Sequence, residues 1–168
     1  ELRQSGQIKA IGTGVNEIEA CLDVMQFGTW DVFLLAGRYT LLEQRALDDL
    51  FPACKAAGTS IICGGPFNSG ILAGRDTWNY AKAPAAVIKR VEALRAEADA
   101  HAIPLGAAAL QFPLGSALVS SVIPGPRSKA ELEQIVAWFE TPIPTAFWAS
   151  LKEKGLMGED VPVPAGAS

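Results

Sequence analysis

Four short apolar runs alternate along this sequence with longer segments of helical periodicity. The runs fall at residues 8–12, 32–35, 60–63 and 119–123. The second and third lack an alternation of polar and apolar residues, which is typical of strands that are covered on both faces. Strand and helix repeated four times predict an α/β fold, with a parallel sheet joined by right-handed crossovers. The repeat alone fits both a small open sheet and half of an eight-stranded (β/α)8 barrel.

Three pairs of residues have the spacing of a capping box, in which a polar side chain and a glutamate satisfy the first N–H groups of a helix. Each pair precedes an apolar stripe at helical spacing, so we expect a helix to begin at each. The second helix should end at Gly58, and Pro52 leaves its beginning open. The pairs are Asn16 with Glu19, Thr40 with Glu43, and Ser128 with Glu131; the stripes are Ile18, Leu22 and Met25, then Leu47, Leu50 and Cys54, then Leu132, Ile135, Val136 and Phe139.

Further helices are predicted after Pro84, at residues 105–112 and at residues 145–154, followed by an extended tail at 161–164. We expect one partial barrel domain over residues 1–168, with a C-terminal helix and tail at 141–168. Residues 1–6 resemble the end of a helix with its glycine stop, and no helix start precedes them. This beginning favours half a barrel over a small open sheet, and suggests a fragment or a cleaved product.

Composition and charge exclude several classes of partner and site. The net charge of −4 and the sequence pI of about 5.0 argue against nucleic acid or an anionic membrane as the main partner. No apolar run approaches the roughly 20 residues that span a bilayer. The odd number of cysteines, in apolar surroundings, predicts buried inert thiols and a cytoplasmic location. His101 is the one histidine and fits the end of a helix, so we predict no metal site.

Two of the loops that follow predicted strands have the composition of an anion site. Residues 64–70 are rich in glycine and include Asn68 and Ser69 as side-chain donors. Residues 124–128 lead into a capped helix, and Arg127 adds a positive charge where free N–H groups favour an anion. A plain glycine-rich turn and a solvated arginine are the alternatives that these residues leave open.

Four segments together carry a resemblance to a known family. They are residues 8–12 (IKAIG), 38–42 (RYTLL), 66–72 (PFNSGIL) and above all 122–128 (VIPGPRS). In order and spacing they resemble strands five to eight of the aldo-keto reductase barrel, particularly its sugar-oxidising branch of L-fucose and D-threo-aldose 1-dehydrogenases and enzymes of the pyridoxal 4-dehydrogenase type. The resemblance implies an α/β fold that is the C-terminal half of a (β/α)8 TIM barrel.

The resemblance also implies a nicotinamide cofactor, NAD or NADP, lying across the barrel mouth. Its pyrophosphate would lie on one loop and its adenosine end against the other loop and the helix that follows. In the family the catalytic Asp, Tyr, Lys and His come from strands two to four, so no catalytic residue matches in this chain and the missing N-terminal half is the implied partner. The positions that match cofactor contacts are Asn16, Tyr39, Pro66, Phe67, Asn68, Ser69, Gly70, Gly125, Arg127, Ser128, Glu131 and Gln134.

Several departures from the family pattern bear on the cofactor. The strand-five Ser-Asn pair is Gly14-Val15, with Asn16 one step later, and the ring-stacking aromatic falls at Gly64, where Phe67 or Trp78 could supply the surface instead. Glu131 stands where many members carry an arginine for the 2′-phosphate of NADP, so we expect a slight preference for NAD.

The function that the resemblance implies is an NAD(P)-dependent oxidoreductase. It would transfer hydride between the nicotinamide and an aldose or a related small alcohol or aldehyde, and this chain alone would be inactive. The alternative is a non-catalytic nucleotide-binding subunit or an inactive half-barrel fragment.

Overall fold

The computed structural model describes residues 1–166. Strands and helices alternate, with short 3-10 turns at Arg45–Leu47 and Phe112–Gly115 and a kinked turn segment at Asn68–Ala73, in which Ser69 and Gly70 are not helical. In chain order the strands and helices are β1 (Gly12–Val15), α1 (Ile18–Met25), β2 (Val32–Ala36), α2 (Leu50–Ala57), β3 (Ser60–Gly64), β4 (Thr77–Trp78), β5 (Ala81–Lys82), α3 (Ala85–Ala100), α4 (Leu105–Gln111), β6 (Val119–Ile123), α5 (Lys129–Glu140) and α6 (Thr145–Glu153).

The four long strands form one parallel sheet in the order β1-β2-β3-β6. Each connection between them contains at least one helix, as parallel neighbours require. The predicted parallel α/β arrangement is therefore confirmed. The short strands β4 and β5 form a separate antiparallel hairpin in the long connection between β3 and β6. Within residues 1–166, β1 and β6 are the edges of the sheet and each has a strand on one side only.

One hydrophobic core lies between the sheet and its helices. Phe33, Leu35, Ile61 and Cys63 alternate along β2 and β3 and are buried, whereas the residues between them on the opposite face are only half-buried. Within residues 1–166 one face of these strands is thus more deeply buried than the other, and full coverage of both faces stays a prediction.

The first strand lies further along the chain than its apolar run predicts. Pairing begins at Gly12 opposite Val32, and residues 9 and 10 are exposed. A Cβ on Gly12 would lie 2.1 Å from the carbonyl oxygen of Val32, so only glycine permits this close approach at the start of the strand. Residues 1–6 form hydrogen-bonded turns, and Gly6 has a left-handed φ of +76°, as a helix stop predicts.

Two of the three predicted capping boxes are wrong. Helix α1 follows Glu17 with no side-chain cap, and the carbonyl of Asn16 accepts a 2.8 Å hydrogen bond from Nε of Arg38. Thr40 closes a turn, in which its Oγ1 accepts from the N–H of Glu43 at 3.0 Å, and α2 begins only at Leu50. Pro52 therefore lies in the first turn of α2, where its missing N–H costs nothing.

The third predicted cap is present, because Oγ of Ser128 accepts from the N–H of Glu131 at 3.2 Å. The helix that it begins, α5, does not bury its apolar stripe. Leu132, Val136 and Phe139 are 49 %, 49 % and 59 % exposed. The stripe belongs to the same open side as β6, which has no neighbouring strand beyond it within residues 1–166.

The other helix predictions are confirmed. Helices α3, α4 and α6 lie where the sequence places them, Gly58 ends α2 in a left-handed conformation, and His101 is the C-cap of α3. The tail at 161–164 has no helix or strand, and residues 167 and 168 of the predicted tail lie outside the described residues. The division of domains stays a prediction.

All three cysteines are free and buried, as predicted. Burial raises the pKa of Cys21 and Cys54 to about 11 and that of Cys63 to about 12, so each thiol is held in its unreactive protonated form. Among residues 1–166, none of the helices combines the length and the apolar character needed to cross a bilayer.

Candidate cofactor site

A cavity of about 750 Å³ lies at the carboxyl ends of β3 and β6. One wall is the long connection that follows β3, and the other is the loop after β6 together with the first turns of α5. In parallel α/β folds this end of the strands is where ligands gather. The first wall contributes Gly65, Phe67, Ser69, Gly70, Ala73, Arg75, Thr77 and Tyr80, and the second contributes Pro124, Gly125, Arg127, Glu131, Gln134, Ile135 and Trp138.

The backbone of the first wall is sharply bent. Asn68, Ser69 and Gly70 are consecutive residues with positive φ angles of 47°, 61° and 108°. A Cβ on Gly70 would lie 2.5 Å from Cδ of Arg75, so glycine is required there by both conformation and space. Non-glycine residues with positive φ persist only where neighbouring contacts hold them.

Those contacts come from Asn68, whose side chain is 1 % exposed. Its Oδ1 accepts from the hydroxyl of Thr40, and its Nδ2 donates to the carbonyl of Gly37 at 3.2 Å and to Oε1 of Glu43 at 3.1 Å. The side chain of Asn68 is therefore fully used inside the loop. The structure corrects the expectation that this side chain is a free donor for an anion.

Ser69 points the other way and lines the cavity. Its Oγ accepts from the N–H of Tyr80 at 3.0 Å, and its carbonyl accepts from the hydroxyl of Thr77 at 2.6 Å. These bonds hold the hairpin β4–β5 against the loop. The hydroxyl hydrogen of Ser69 is left free to donate toward the cavity.

Three charged side chains meet where the two walls approach each other, with Arg75 from the first wall and Arg127 and Glu131 from the second. Oε1 of Glu131 accepts from Nη2 of Arg75 at 2.6 Å and from Nη2 of Arg127 at 2.9 Å, while Oε2 accepts from the backbone N–H of Arg127 at 2.8 Å. The side-chain hydrogen bond from Arg127, followed by the one from its backbone, lowers the pKa of Glu131 to about 2. The same contact with Glu131 raises the pKa of Arg127. Both shifts favour the ionised forms of Glu131 and Arg127.

The back of the cavity is aromatic. Phe67 and Trp138 meet edge to face with ring centroids 5.6 Å apart, and both line the cavity. Trp138 lies over Gly106 of α4, where a Cβ would be 2.5 Å from the indole ring. The cavity thus combines an apolar surface with cationic groups and hydrogen-bond donors at its rim, which suits a ligand with a flat ring system and an anionic group.

Seven of the twelve predicted cofactor residues line this cavity: Phe67, Ser69, Gly70, Gly125, Arg127, Glu131 and Gln134. Pro66 and Asn68 are buried in the same loop, and Ser128 caps α5 beside the cavity. Their predicted contacts with a cofactor stay predictions, apart from the side chain of Asn68.

Tyr39 and Asn16 lie elsewhere. Tyr39 is 1 % exposed and packs against Phe51 and Phe112, so its ring cannot touch a ligand in the cavity. Burial raises the pKa of its hydroxyl. Tyr39 therefore does not line the cavity, and its closeness to a cofactor stays a prediction. Asn16 follows β1, two strands away from β3, and does not line the cavity.

The sequence reasoning missed Ala73, Arg75, Thr77, Tyr80 and Trp138. Trp138 could have been found, because it lies seven residues after Glu131 and so shares its helix face. Arg75 comes from an irregular connection in which no periodicity indicates direction. Of the two aromatic residues considered as substitutes for the stacking ring, Phe67 lines the cavity and Trp78 does not.

Fold and site together define an α/β protein with a ligand cavity at the mouth of a parallel sheet. The model of the aldo/keto reductase family matches residues 1–155, so the chain belongs to the aldo/keto reductase family. This confirms the resemblance read from the sequence.

Two relatives match along nearly the whole chain. Pyridoxal 4-dehydrogenase of Microbacterium luteolum is 43 % identical over 161 residues, which are 94 % of this chain and 47 % of that protein. D-threo-aldose 1-dehydrogenase of a Pseudomonas species is 38 % identical over 162 residues, which are 94 % of this chain and 49 % of that protein. The chain therefore spans about half the length of the curated relatives that it matches.

The fold has a solved counterpart. The holo form of aldo-keto reductase AKR11C1 from Bacillus halodurans superimposes with a TM-score of 0.69 at 21 % identity, covering 99 % of this chain and 54 % of that one. The four-stranded sheet is thus a partial aldo-keto reductase barrel. Which half of the barrel it is stays a prediction.

Proposed function

We propose that this chain is the cofactor-binding, C-terminal half of an NAD(P)-dependent oxidoreductase. The reaction is hydride transfer between the nicotinamide and an aldose or a related small alcohol or aldehyde. The observation that carries the proposal is the cavity between the two loops, with arginines at its rim and aromatic rings at its back. The names of the two relatives, an aldose dehydrogenase and a pyridoxal dehydrogenase, support the reaction class.

The donors in the cavity fit a nicotinamide dinucleotide. Ser69 would hold the pyrophosphate through its hydroxyl group, which lines the cavity, because the N–H groups of Asn68 and Gly70 already donate to the carbonyls of Gly65 and Phe67. Gly125, Arg127 and the free N–H groups at the start of α5 would hold the adenosine end, with Gln134 beside it. The bound cofactor supplies the hydride acceptor. The residues of this chain bind it and fix its orientation.

The slight preference for NAD belongs to this proposal. Glu131 would accept hydrogen bonds from the ribose hydroxyls and repel a 2′-phosphate. A further relative, 28 % identical over 80 residues, is an NADH-specific methylglyoxal reductase of Escherichia coli (strain K12). The word NADH-specific in the name of that protein supports a preference for NAD.

The proton would be moved by residues outside this chain. No described residue in the cavity forms an acid/base set of the kind that the family implies, so strands and loops of the missing N-terminal half would provide it. The exposed stripe of α5 and the edges of β1 and β6 are the surfaces that this half would cover. We also propose a cytoplasmic location, because free buried cysteines are typical of proteins in a reducing compartment.

The experiment is an assay of the protein as the cell makes it, beside the purified chain of residues 1–168. Each is mixed with NAD and, in turn, with aldoses and pyridoxal, and reduction of the nicotinamide is followed by absorbance. We expect turnover only in the former, with nucleotide binding as a separate measurement. Binding without turnover in the whole protein would favour the non-catalytic subunit, and turnover by residues 1–168 alone would contradict the assignment of halves.

A further inference from the structure

We propose that Arg75 is a specificity-determining residue of this site. Its ion pair with Glu131 offsets the negative charge that Glu131 presents to the ribose, and so keeps the preference for NAD over NADP small. The inference rests on the proposed function, because it concerns the adenosine end of the same cofactor. It adds a determinant from a different element, the connection after β3, that the sequence alone did not indicate.

The geometry places both arginines on one carboxylate oxygen. Arg75 and Arg127 reach Oε1 of Glu131 at 2.6 and 2.9 Å from opposite walls of the cavity, although 56 residues separate Arg75 from Glu131. The side chains of Arg75 and Glu131 are 39 % and 33 % exposed, so their charges are only partly screened by water. All three residues line the cavity.

Contacts with Gly70 position both the backbone and the side chain of Arg75. Its N–H donates to the carbonyl of Gly70 at 3.0 Å, and its side chain runs past the Cα of Gly70, where a Cβ would lie within 2.5 Å of Cδ. Glycine at this position therefore leaves the arginine the space to cross toward α5. Along this course the guanidinium of Arg75 reaches the carboxylate of Glu131.

The net charge of Arg75, Arg127 and Glu131 determines how the site would receive a 2′-phosphate. Two guanidinium groups and one carboxylate leave the cluster with one net positive charge, so a 2′-phosphate would meet partners for hydrogen bonding beside the repelling carboxylate. Without Arg75 the cluster would be neutral, and Glu131 would be held by Arg127 alone. NADP should then lose more affinity than NAD, whose ribose hydroxyls are uncharged.

The test compares dissociation constants of NAD and NADP, measured by calorimetric titration on the protein as the cell makes it. We expect Arg75→Gln to raise the ratio of the NADP constant to the NAD constant by roughly three- to tenfold, as loss of one partly exposed charge next to a phosphate predicts. Arg75→Lys should leave the ratio within about twofold of the wild type, because it keeps the charge. The matched control is Arg95→Gln, which removes the same charge from the exposed face of α3 outside the cavity.

Three results would contradict the proposed role of Arg75. A ratio that is unchanged or falls in Arg75→Gln overturns the inference and leaves the proposed function standing, provided that the wild type binds a nucleotide. An equal loss of affinity for both nucleotides assigns Arg75 a structural role and also overturns it. A wild type that binds neither nucleotide overturns the proposed function together with the inference.

Discussion

The indole Nε1 of Trp78 donates a 2.8 Å hydrogen bond to Oε1 of Glu43, across 35 residues of sequence. The same oxygen accepts from Nδ2 of the buried Asn68 at 3.1 Å. Glu43 follows β2, whereas Trp78 and Asn68 belong to the connection after β3. The carboxylate of Glu43 therefore connects the hairpin β4–β5 and the bent loop of the cavity to the loop that follows β2.

Removing this carboxylate should loosen the cavity wall. We expect Glu43→Ala to lower the free energy of unfolding by about 1–3 kcal/mol, because two donors lose their acceptor in a largely buried position. Nucleotide affinity should fall with it. Urea unfolding checks the first effect and calorimetric titration the second.

A control for this variant is Glu19→Ala, whose carboxylate is paired with Arg45 on the exposed face of α1. It should leave the unfolding midpoint unchanged. If Glu43→Ala is as stable as the wild type and binds nucleotide as tightly, the contacts of Glu43 do not hold the loop.

A second prediction concerns the back of the cavity. Gly106→Ala would place a Cβ 2.5 Å from the ring of Trp138 and so force α4 and α5 apart. We expect a loss of about 1–3 kcal/mol of stability, typical of overpacking, and weaker nucleotide binding, because Trp138 lines the cavity. Gly14→Ala is the matched control, since its Cβ would meet its nearest neighbour at an ordinary 3.7 Å. Equal stability of the two variants would contradict the close packing of Trp138.

The sequence predicts the order of elements well and their boundaries less well. β2 and β3 follow from uninterrupted apolar runs, and β6 follows from a run that Ser120 and Ser121 interrupt. Gly58 and Ser128 follow from local chemistry that needs no tertiary partner. The capping box predicted at Thr40 fails because its short pattern also occurs in turns, and the one predicted at Asn16 fails because α1 begins only after Glu17. The exposed stripe of α5 could not be read from its periodicity, which shows an apolar face but not whether anything covers it.

In the candidate site, too, the sequence predicts what local signals determine and misses what distant contacts determine. Glycines, the helix cap and Arg127 are local signals, and they placed both walls of the cavity. The family resemblance matches Tyr39 to a residue near the cofactor, whereas its ring packs in the core against Phe51 and Phe112. Arg75 and the Glu43 contacts depend on pairs more than 24 residues apart, which no single-sequence pattern records.

Acid should weaken the contact between the two walls. The pKa of Glu131 is lowered to about 2 from its ordinary 4.5, so its ionised form stabilises the fold above the ordinary value. That contribution is lost as the pH falls from about 4.5 toward about 2. We therefore expect Glu131→Gln to be less stable than the wild type near pH 6, and the difference to shrink toward about pH 3 in urea unfolding.

The control is Glu133→Gln on the same helix, where the carboxylate is exposed and faces Lys129 at 3.4 Å. It should change the free energy of unfolding little. A stability difference for Glu131→Gln that is constant from about pH 6 to about pH 3 would show that the ionised carboxylate does not join the walls.

Reversing the charge at Glu131 should change cofactor choice. We expect the protein as the cell makes it to bind NAD roughly 5- to 30-fold more tightly than NADP, and Glu131→Arg to narrow or reverse that preference. The arginine would replace a repelling group with a partner for the 2′-phosphate. Dissociation constants for both cofactors on both proteins provide the test. Tighter binding of NADP by the wild type would mean that Glu131 serves the helix start and its arginine partners alone.

The most direct test of the account is to locate the bound nucleotide. ADP-ribose carries the pyrophosphate and adenosine without the nicotinamide, so it probes this cavity independently of residues outside the chain. We predict that saturating ADP-ribose slows amide hydrogen exchange at residues 65–75 and 125–131, and leaves residues 18–25 of α1 unchanged as an internal reference. Binding that protects other segments but not these two, or no binding at all, would contradict the assignment of the cavity as the cofactor site.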